Sequence, residues 1–234
     1  LNDPPRARRE PDFHALPLDQ LMEADFLSLH VPLTLRGEDR THHLFDRRRL
    51  SRMESGTVLI NSSRGAVVEG VALKVELQKG RLKAVLDVWE NEPSIDCELL
   101  ELVQIGTPHV GGQTAEAKER GTEVIFQACC RHLGVDPGWS FPGSSQPRKL
   151  LQQEKQGGWE EQLHGLVREA YDIEADDRSL RELLQVPREE RVEQFHRIRR
   201  TYRRHELSTF SVVLPADSPL AGSCRALGFR VDQN

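Results

Sequence analysis

Continuous apolar runs are the feature that most constrains the fold of this chain of 234 residues. Four such runs, rich in Val, Ile, Leu and Ala, lie at residues 24–31, 57–61, 84–89 and 102–107. Continuous rather than alternating apolar strands are typical of a parallel sheet covered by helices on both faces. Between the second and third runs, residues 67–78 have helical spacing and end before Gly80. The chain is therefore predicted to be α/β, with part of a doubly wound parallel sheet.

Three of the predicted strands are each followed by a polar side chain that can do chemistry. Arg64 follows the second strand, Glu92 the third and His109 the fourth. Open α/β sheets bind ligands outside the carboxyl ends of their strands, so these three groups can converge on one small molecule. The sequence therefore predicts an acid/base site at this edge of the sheet.

The trio suits oxidation of an alcohol next to a carboxylate, with the hydride passing to a bound nicotinamide. The planar, charged fork of Arg64 would hold the carboxylate and polarise the forming carbonyl. His109 would take the hydroxyl proton, and Glu92 would fix which ring nitrogen faces the substrate. A single Arg after a strand is usually ion-paired, and a single His after Pro is usually a loop residue. The prediction therefore depends on the presence of all three residues in this order, each after its own strand.

Three motifs contain this trio: Asn61-Ser62-Ser63-Arg64-Gly65, Asp87-Val88-Trp89-Glu90-Asn91-Glu92-Pro93 and Thr107-Pro108-His109-Val110-Gly111-Gly112. They resemble the three signatures of the D-isomer-specific 2-hydroxyacid dehydrogenases. The resemblance implies a Rossmann-like domain that binds NAD, with Arg64 as the substrate-binding catalytic arginine, Glu92 as the partner of the histidine and His109 as the proton donor and acceptor. The implied cofactor contacts are Asp3, Val31, Ser62, Ser63, Arg64, Asp87 and Gly112.

The implied substrate is a small phosphorylated 2-hydroxy acid, contacted by Arg64 and Gln113. Gln113 stands where the subfamily that the chain most resembles has a tyrosine, so the exact substrate stays open, although Gln can donate a hydrogen bond. Two alternatives remain. The first is another member of the family, such as a D-3-phosphoglycerate dehydrogenase, and the second is a dehydrogenase-like binding or dimerisation module without turnover.

The sequence contains no G-x-G-x-x-G motif, and it begins with Leu1-Asn2-Asp3. In dinucleotide-binding folds an acidic residue about 20 positions after that glycine loop binds the ribose hydroxyls, and Asp3 fits this role. We therefore expect a C-terminal portion of an enzyme, inactive by itself. Asp3 favours NAD over NADP, whereas Arg6, Arg8 and Arg9 could soften that preference.

Four segments are predicted along the chain. Residues 1–112 form a partial NAD-binding domain. Residues 113–134 form a helix, and the resemblance implies that this helix leads back toward a substrate domain. Residues 135–157, rich in Gly and Pro, form a linker, and residues 158–234 form a small α+β domain. The resemblance implies that this last domain mediates homodimerisation. The apolar stripe of the 113–134 helix is expected to be uncovered; its members are Val124, Ile125, Ala128 and Cys129.

Composition excludes several classes of protein. The net charge of −5 gives no general attraction to nucleic acid, and the arginines at 197–204 are surrounded by glutamates. No apolar run approaches the roughly 20 residues that a bilayer requires. The four cysteines lack the spacing of a metal site or a disulfide framework, which favours a cytoplasmic protein. His42 and His43 are expected to be loop or surface residues rather than metal ligands.

Overall fold

A computed structural model describes residues 1–140, 149–152 and 157–233. Two compact units make up the chain. Unit 1 contains Leu1–His109 and Glu174–Arg200, and unit 2 contains Val110–Ile173 and Thr201–Asn234. Residues 141–148 and 153–156 of the predicted linker lie outside the described residues.

The chain contains the following strands and α-helices. The strands are β1 (Phe26–Leu29), β2 (Val58–Asn61), β3 (Lys83–Leu86), β4 (Ile105–Gly106), β5 (Lys149–Gln152), β6 (Phe210–Leu214) and β7 (Arg230–Gln233). The α-helices are α1 (Pro4–Ala7), α2 (Arg47–Arg52), α3 (Gly70–Gln78), α4 (Cys97–Leu102), α5 (Ala115–Leu133), α6 (Trp159–Ala170), α7 (Ile173–Arg181), α8 (Arg191–Thr201) and α9 (Leu220–Leu227).

Unit 1 is built on a parallel sheet of four strands in the order β1-β2-β3-β4. This confirms the predicted α/β class and the parallel pairing. The fourth predicted strand was too long, because Leu102 ends α4 and only Ile105 and Gly106 pair with β3. The sequence does contain the start signal of α4, since Asp96 accepts hydrogen bonds from the backbone N–H groups of Glu98 and Leu99.

The expectation that both faces of every strand are covered is wrong for β1. Leu27 and Leu29 are buried, but Phe26 on the opposite face is 71% exposed. Within the described residues, helices therefore protect only one face of this edge strand. The apolar run at residues 24–31 indicated a strand correctly, but it did not show which face is covered.

Residues from α7, α8 and the short 3-10 helix Glu182–Gln185 between them complete the core of unit 1. Leu180, Leu183 and Phe195 are buried in the same apolar cluster as Leu59 of β2 and Leu100 of α4. The compact units therefore do not follow the linear 158–234 segment predicted from the sequence, because the apolar faces of α7 and α8 pack onto the first sheet.

Unit 2 contains a second parallel sheet, with the order β5-β6-β7. Its core includes Leu166 of α6, Val212 of β6 and Cys224 of α9. β5 lies inside the segment predicted to be a linker, so that prediction is wrong for residues 149–152. The Gly and Pro residues on either side obscured a strand of only four residues, whose partner β6 is about 60 positions away.

The long helix of unit 2 agrees with its sequence signals. Thr114 caps α5 by accepting a hydrogen bond from the N–H of Ala117, and Gly134 ends it in the left-handed conformation. The predicted apolar stripe is uncovered, since Val124 is 60% exposed and Ile125 is 71% exposed. Across the parts of the chain that the structure describes, no helix combines the length and the apolar character needed to span a membrane.

A buried carboxylate joins α3 to the turn that follows it. Glu76 accepts hydrogen bonds from Nε of Arg81 at 2.7 Å and from Nζ of Lys79 at 2.9 Å. Arg81 also donates to the carbonyl oxygens of Leu50 and Met53 at the end of α2. The hydrogen bond from Arg81 holds the pKa of the Glu76 carboxyl below its ordinary value.

Replacing Phe195 by Ala should destabilise unit 1 by about 3–5 kcal/mol, because the ring is fully buried and its removal leaves a cavity. The free energy of unfolding, measured in urea by circular dichroism, tests this. Val192→Ala, on the exposed side of the same helix, is the control and should change stability by less than about 0.5 kcal/mol. Equal effects of the two variants would contradict the packing of α8 described above.

The Glu76→Gln variant should be less stable than the parent by about 2 kcal/mol at neutral pH, because the charged hydrogen bonds to Arg81 and Lys79 are weakened. A lowered folded-state pKa stabilises the fold above the ordinary carboxyl pKa, and that stabilisation is lost as pH falls through the folded value. The difference between the two proteins should therefore shrink in acid. Thermal unfolding between pH 7 and pH 3 checks this, with exposed Glu101→Gln as control.

Candidate active site

The loop after β2 is organised by a buried amide. Asn61 is 1% exposed, and its Oδ1 accepts hydrogen bonds from N and Oγ of Ser63 at 3.1 and 2.8 Å. Its Nδ2 donates to the backbone oxygen of Arg64 at 3.0 Å. This small turn buries Ser63 and leaves Ser62 and Arg64 exposed at the carboxyl end of the strand. Asn61 therefore determines where the arginine leaves the sheet.

Gly65 brings this loop against the loop after β3. A Cβ atom at Gly65 would lie 2.0 Å from the carbonyl oxygen of Trp89, far closer than any real contact. Only glycine allows the two backbones to approach in this way. The Arg64 loop and the Glu92 loop are thus neighbours because residue 65 has no side chain.

Glu92 links two parts of the site. Its Oε1 accepts a hydrogen bond from the backbone N–H of Trp89 at 2.7 Å, and its Oε2 lies 2.7 Å from Nδ1 of His109. The indole of Trp89 is buried and donates to the carbonyl oxygen of Thr107 at 2.9 Å. The carboxylate is therefore held by its own loop and oriented toward the histidine, as the sequence predicted for the pair.

His109 adopts the left-handed conformation, with φ of 55°. A non-glycine residue in this region costs on the order of 1–3 kcal/mol and persists only where its surroundings hold it. The backbone N–H of His109 donates to the carbonyl oxygen of Asp87 at 2.7 Å, and the Asp87 carboxylate accepts from Oγ1 of Thr107 at 2.6 Å. These contacts, with that of Glu92, hold the ring in one orientation.

With Nδ1 of His109 engaged by the carboxylate, Nε2 is the ring nitrogen that can exchange a proton with a bound molecule. The side chain of His109 is 27% exposed and that of Glu92 is 20% exposed, so the pair is sheltered yet reachable. The arrangement can accept a proton from, or donate one to, an oxygen placed beside the exposed Arg64.

Asp3 caps the short helix α1. Its carboxylate accepts a hydrogen bond from the N–H of Arg6 at 3.0 Å, and it precedes two prolines that start the helix. Two of the three arginines that follow it have carboxylate neighbours: Arg6 pairs with Glu10 at 2.7 Å, and Arg8 pairs with Glu38 and Asp39. The third, Arg9, donates to the carbonyl oxygen of Pro5 at 3.2 Å.

The remaining predicted contacts lie in different parts of the chain. Val31, just after β1, packs against the core of unit 1. Gly112 and Gln113 belong to unit 2, where Gly112 has φ of 75° and the N–H of Gln113 donates to the carbonyl oxygen of Val110 at 2.8 Å. Arg64, Glu92 and His109 thus all lie in unit 1.

A second histidine–glutamate pair lies in unit 1, and sequence reasoning missed it. His43 lies in a turn, which agrees with the predicted loop position, and its half-buried ring places Nε2 2.7 Å from Oε1 of Glu90. The other oxygen of Glu90 accepts from the N–H of Gly70 at 3.0 Å, and the N–H of His43 donates to the carbonyl oxygen of Ala66 at 2.8 Å. Through these contacts the pair binds both the end of the Arg64 loop, at Ala66, and the start of α3, at Gly70. Its only sequence signal is Glu90, two positions before Glu92.

Comparison with known proteins gives two family matches. Residues 2–111 match the NAD binding domain of the D-isomer specific 2-hydroxyacid dehydrogenases. Residues 146–228 match a domain of unknown function.

Curated relatives cover nearly all of this chain. The erythronate-4-phosphate dehydrogenase of Salinibacter ruber is 42% identical over 214 residues, which are 87% of this chain and 55% of the relative. The proteins of the same name from Stutzerimonas stutzeri and Pseudomonas fluorescens SBW25 are 38% and 41% identical, covering 98% and 97% of this chain and 61% of each relative. The chain thus spans little more than half the length of these relatives. Residues 2–111 carry the similarity of this chain to the D-isomer specific 2-hydroxyacid dehydrogenase family.

Proposed function

We propose that this chain supplies the acid/base site of an NAD-dependent enzyme that oxidises 4-phospho-D-erythronate to 2-oxo-3-hydroxy-4-phosphobutanoate, a step in pyridoxal 5'-phosphate synthesis. The observation that carries the proposal is the His109–Glu92 pair at 2.7 Å, next to the loop that presents Arg64. The names of the relatives at about 40% identity support this substrate.

The proposed reaction uses the trio in separate roles. The guanidinium of Arg64 binds the substrate carboxylate and polarises the carbonyl group that forms as the alcohol is oxidised. Nε2 of His109 takes the hydroxyl proton, and Glu92 stabilises the imidazolium that forms. Because Glu92 is itself held by the N–H of Trp89, it keeps the ring in position throughout the transfer.

Bound NAD would supply the acceptor for the hydride. The residues that would hold it are Asp3, at the ribose, together with Val31, Ser62, Ser63, Arg64, Asp87 and Gly112. The chemistry of the region around Asp3 fits NAD rather than NADP, since Arg6 and Arg8 have carboxylate neighbours that would repel a 2'-phosphate. Asp87 fits a place beside the nicotinamide carboxamide because it lies at the carboxyl end of β3.

The function is tested in a chimaera in which this chain follows the N-terminal part of the Salinibacter ruber relative. With NAD and 4-phosphoerythronate, formation of NADH at 340 nm is expected. His109→Gln should lower kcat at neutral pH by about 10²–10⁴-fold, because the general base is removed. His132→Gln, on the exposed surface of α5, is the matched control.

Two further substrates separate the alternatives. Faster turnover of 3-phosphoglycerate or lactate than of 4-phosphoerythronate would assign a different family member. Tight NAD binding by calorimetry without turnover of any of the three would favour a binding module. Unchanged kinetics in the His109→Gln enzyme would refute the role of the base.

We further propose that the protein is a homodimer that associates through its C-terminal residues 158–234, and that substrate and NAD are its small-molecule partners. Two large apolar side chains of this segment support an interface there, since Trp159 is 50% exposed and Leu227 is 46% exposed. Exposed aromatic and aliphatic groups of this size are typical of interface cores.

A Trp159→Glu variant should shift the protein from dimer to monomer in analytical ultracentrifugation, because a charge would be buried at the interface. Val71→Glu, at a 58% exposed position of unit 1, should leave the dimer intact. Dissociation by Val71→Glu alone would assign the interface to unit 1, and dissociation by Ile125→Glu alone would assign it to α5.

We also propose a cytoplasmic location. The cysteines at positions 97, 129, 130 and 224 are free thiols, which a reducing compartment maintains. Burial raises the pKa of the Cys224 thiol, so this group is kept protonated inside its core.

A further inference from the structure

Helices α7 and α8 contact the backbone that leads to His109. Oδ1 of Asp177 accepts a hydrogen bond from the N–H of Gly106 at 2.7 Å. Gly106 is the last residue of β4, which is the edge strand of its sheet. The carboxylate therefore satisfies a strand-edge donor that has no further strand beside it among the described residues.

Arg181 fixes this carboxylate to the same part of the chain. Its Nε lies 2.8 Å from Oδ2 of Asp177, and its two Nη atoms donate to the carbonyl oxygens of Leu100 and Val103, both at 2.9 Å. One guanidinium thus satisfies two carbonyls at the end of α4 and orients Asp177 toward Gly106. Such planar, multidentate contacts restrict direction as well as distance.

A third contact reaches the histidine itself. Nε of Arg199 donates to the carbonyl oxygen of His109 at 3.3 Å. The helix that carries Arg199 is anchored by Phe195, which is fully buried in the core of unit 1. The backbone of His109 is therefore held on one side by the carbonyl of Asp87 and on the other by Arg199, at the residue with unfavourable φ.

We infer that residues 174–200 act as a brace for the β4–His109 segment, with Asp177 and Arg199 as positioning residues for proton transfer. This inference rests on the proposed role of His109 as the base. The whole brace lies within residues 146–228, which match a domain of unknown function, and it gives this part of the matched region a task within unit 1.

The backbone of His109 keeps its left-handed conformation only while its neighbours hold it. Loss of the Arg199 contact frees the carbonyl of His109, and loss of Asp177 frees the N–H of Gly106 three positions earlier. Either change lets the segment relax away from the conformation in which Nδ1 meets Glu92. Displacement of a catalytic group by about 1 Å can lower a rate by on the order of 100-fold.

The first test uses the 234-residue chain and needs no activity. Arg199→Ala should accelerate amide hydrogen exchange of residues 105–109 by about tenfold and shift the ¹⁵N signals of the His109 ring. Arg199→Lys keeps a donor for the same carbonyl and should restore both toward the parent values. Arg200→Ala, which removes the same charge from the exposed side of the same turn, is the control.

The second test uses the chimaeric enzyme. Arg199→Ala and Asp177→Ala should lower kcat by between about tenfold and 100-fold while leaving KM for NAD within twofold. Asp177→Asn keeps an oxygen that can accept from Gly106 and should lower kcat less than Asp177→Ala does.

Two results would overturn the brace: exchange and ring signals in Arg199→Ala identical to those of the parent chain, or an equal effect of Arg200→Ala. The proposed function fails separately, if His109→Gln retains full turnover. In that case the exchange experiment still decides whether residues 174–200 hold the segment.

Discussion

Parallel pairing of β2, β3 and β4 is the constraint on which the rest of unit 1 depends. The register places Asn61 beside Leu86, and Leu86 beside Gly106, so that the three strands end at one edge of the sheet. The backbone hydrogen bonds continue one residue further, because the N–H of Asp87 donates to the carbonyl oxygen of Asn61 and the N–H of Thr107 donates to that of Leu86. The loops that start there carry Arg64, Glu92 and His109, and they meet because parallel strands share a direction.

A few contacts turn this proximity into an oriented site. Gly65 allows the first loop to touch the second at Trp89, and Glu92 joins the second loop to the ring of His109. The left-handed backbone of His109 is held by hydrogen bonds at its N–H, its carbonyl and its ring. The hydrogen bond to the carbonyl comes from Arg199, which lies in a helix about 90 positions later in the chain. The site of unit 1 is thus held by residues from two distant parts of the sequence.

Elements with strong local signals could be predicted from the sequence. The caps of α5, Thr114 and Gly134, are a short-range pattern, and the helix predicted at residues 113–134 is observed at Ala115–Leu133. Weaker elements were missed or placed wrongly. β5 has four residues within a segment rich in Gly and Pro. The short helix α4 was not predicted, and its last residue, Leu102, was assigned to the following strand. Both faces of β1 were predicted to be covered by helices, but one face is exposed, because an apolar run does not show which elements pack against it.

By itself, the sequence determined the fold class, the parallel sheet and the identities of the three residues proposed to act in catalysis. Each of these depends on residues close together in the chain, such as an apolar run followed by a charged side chain. Only the tertiary structure decided that Glu90 pairs with His43, that Arg199 donates to the carbonyl oxygen of His109, and that residues 174–200 belong to unit 1. These contacts join residues that are distant in sequence, and their geometry follows from packing of the whole core, which no local pattern encodes.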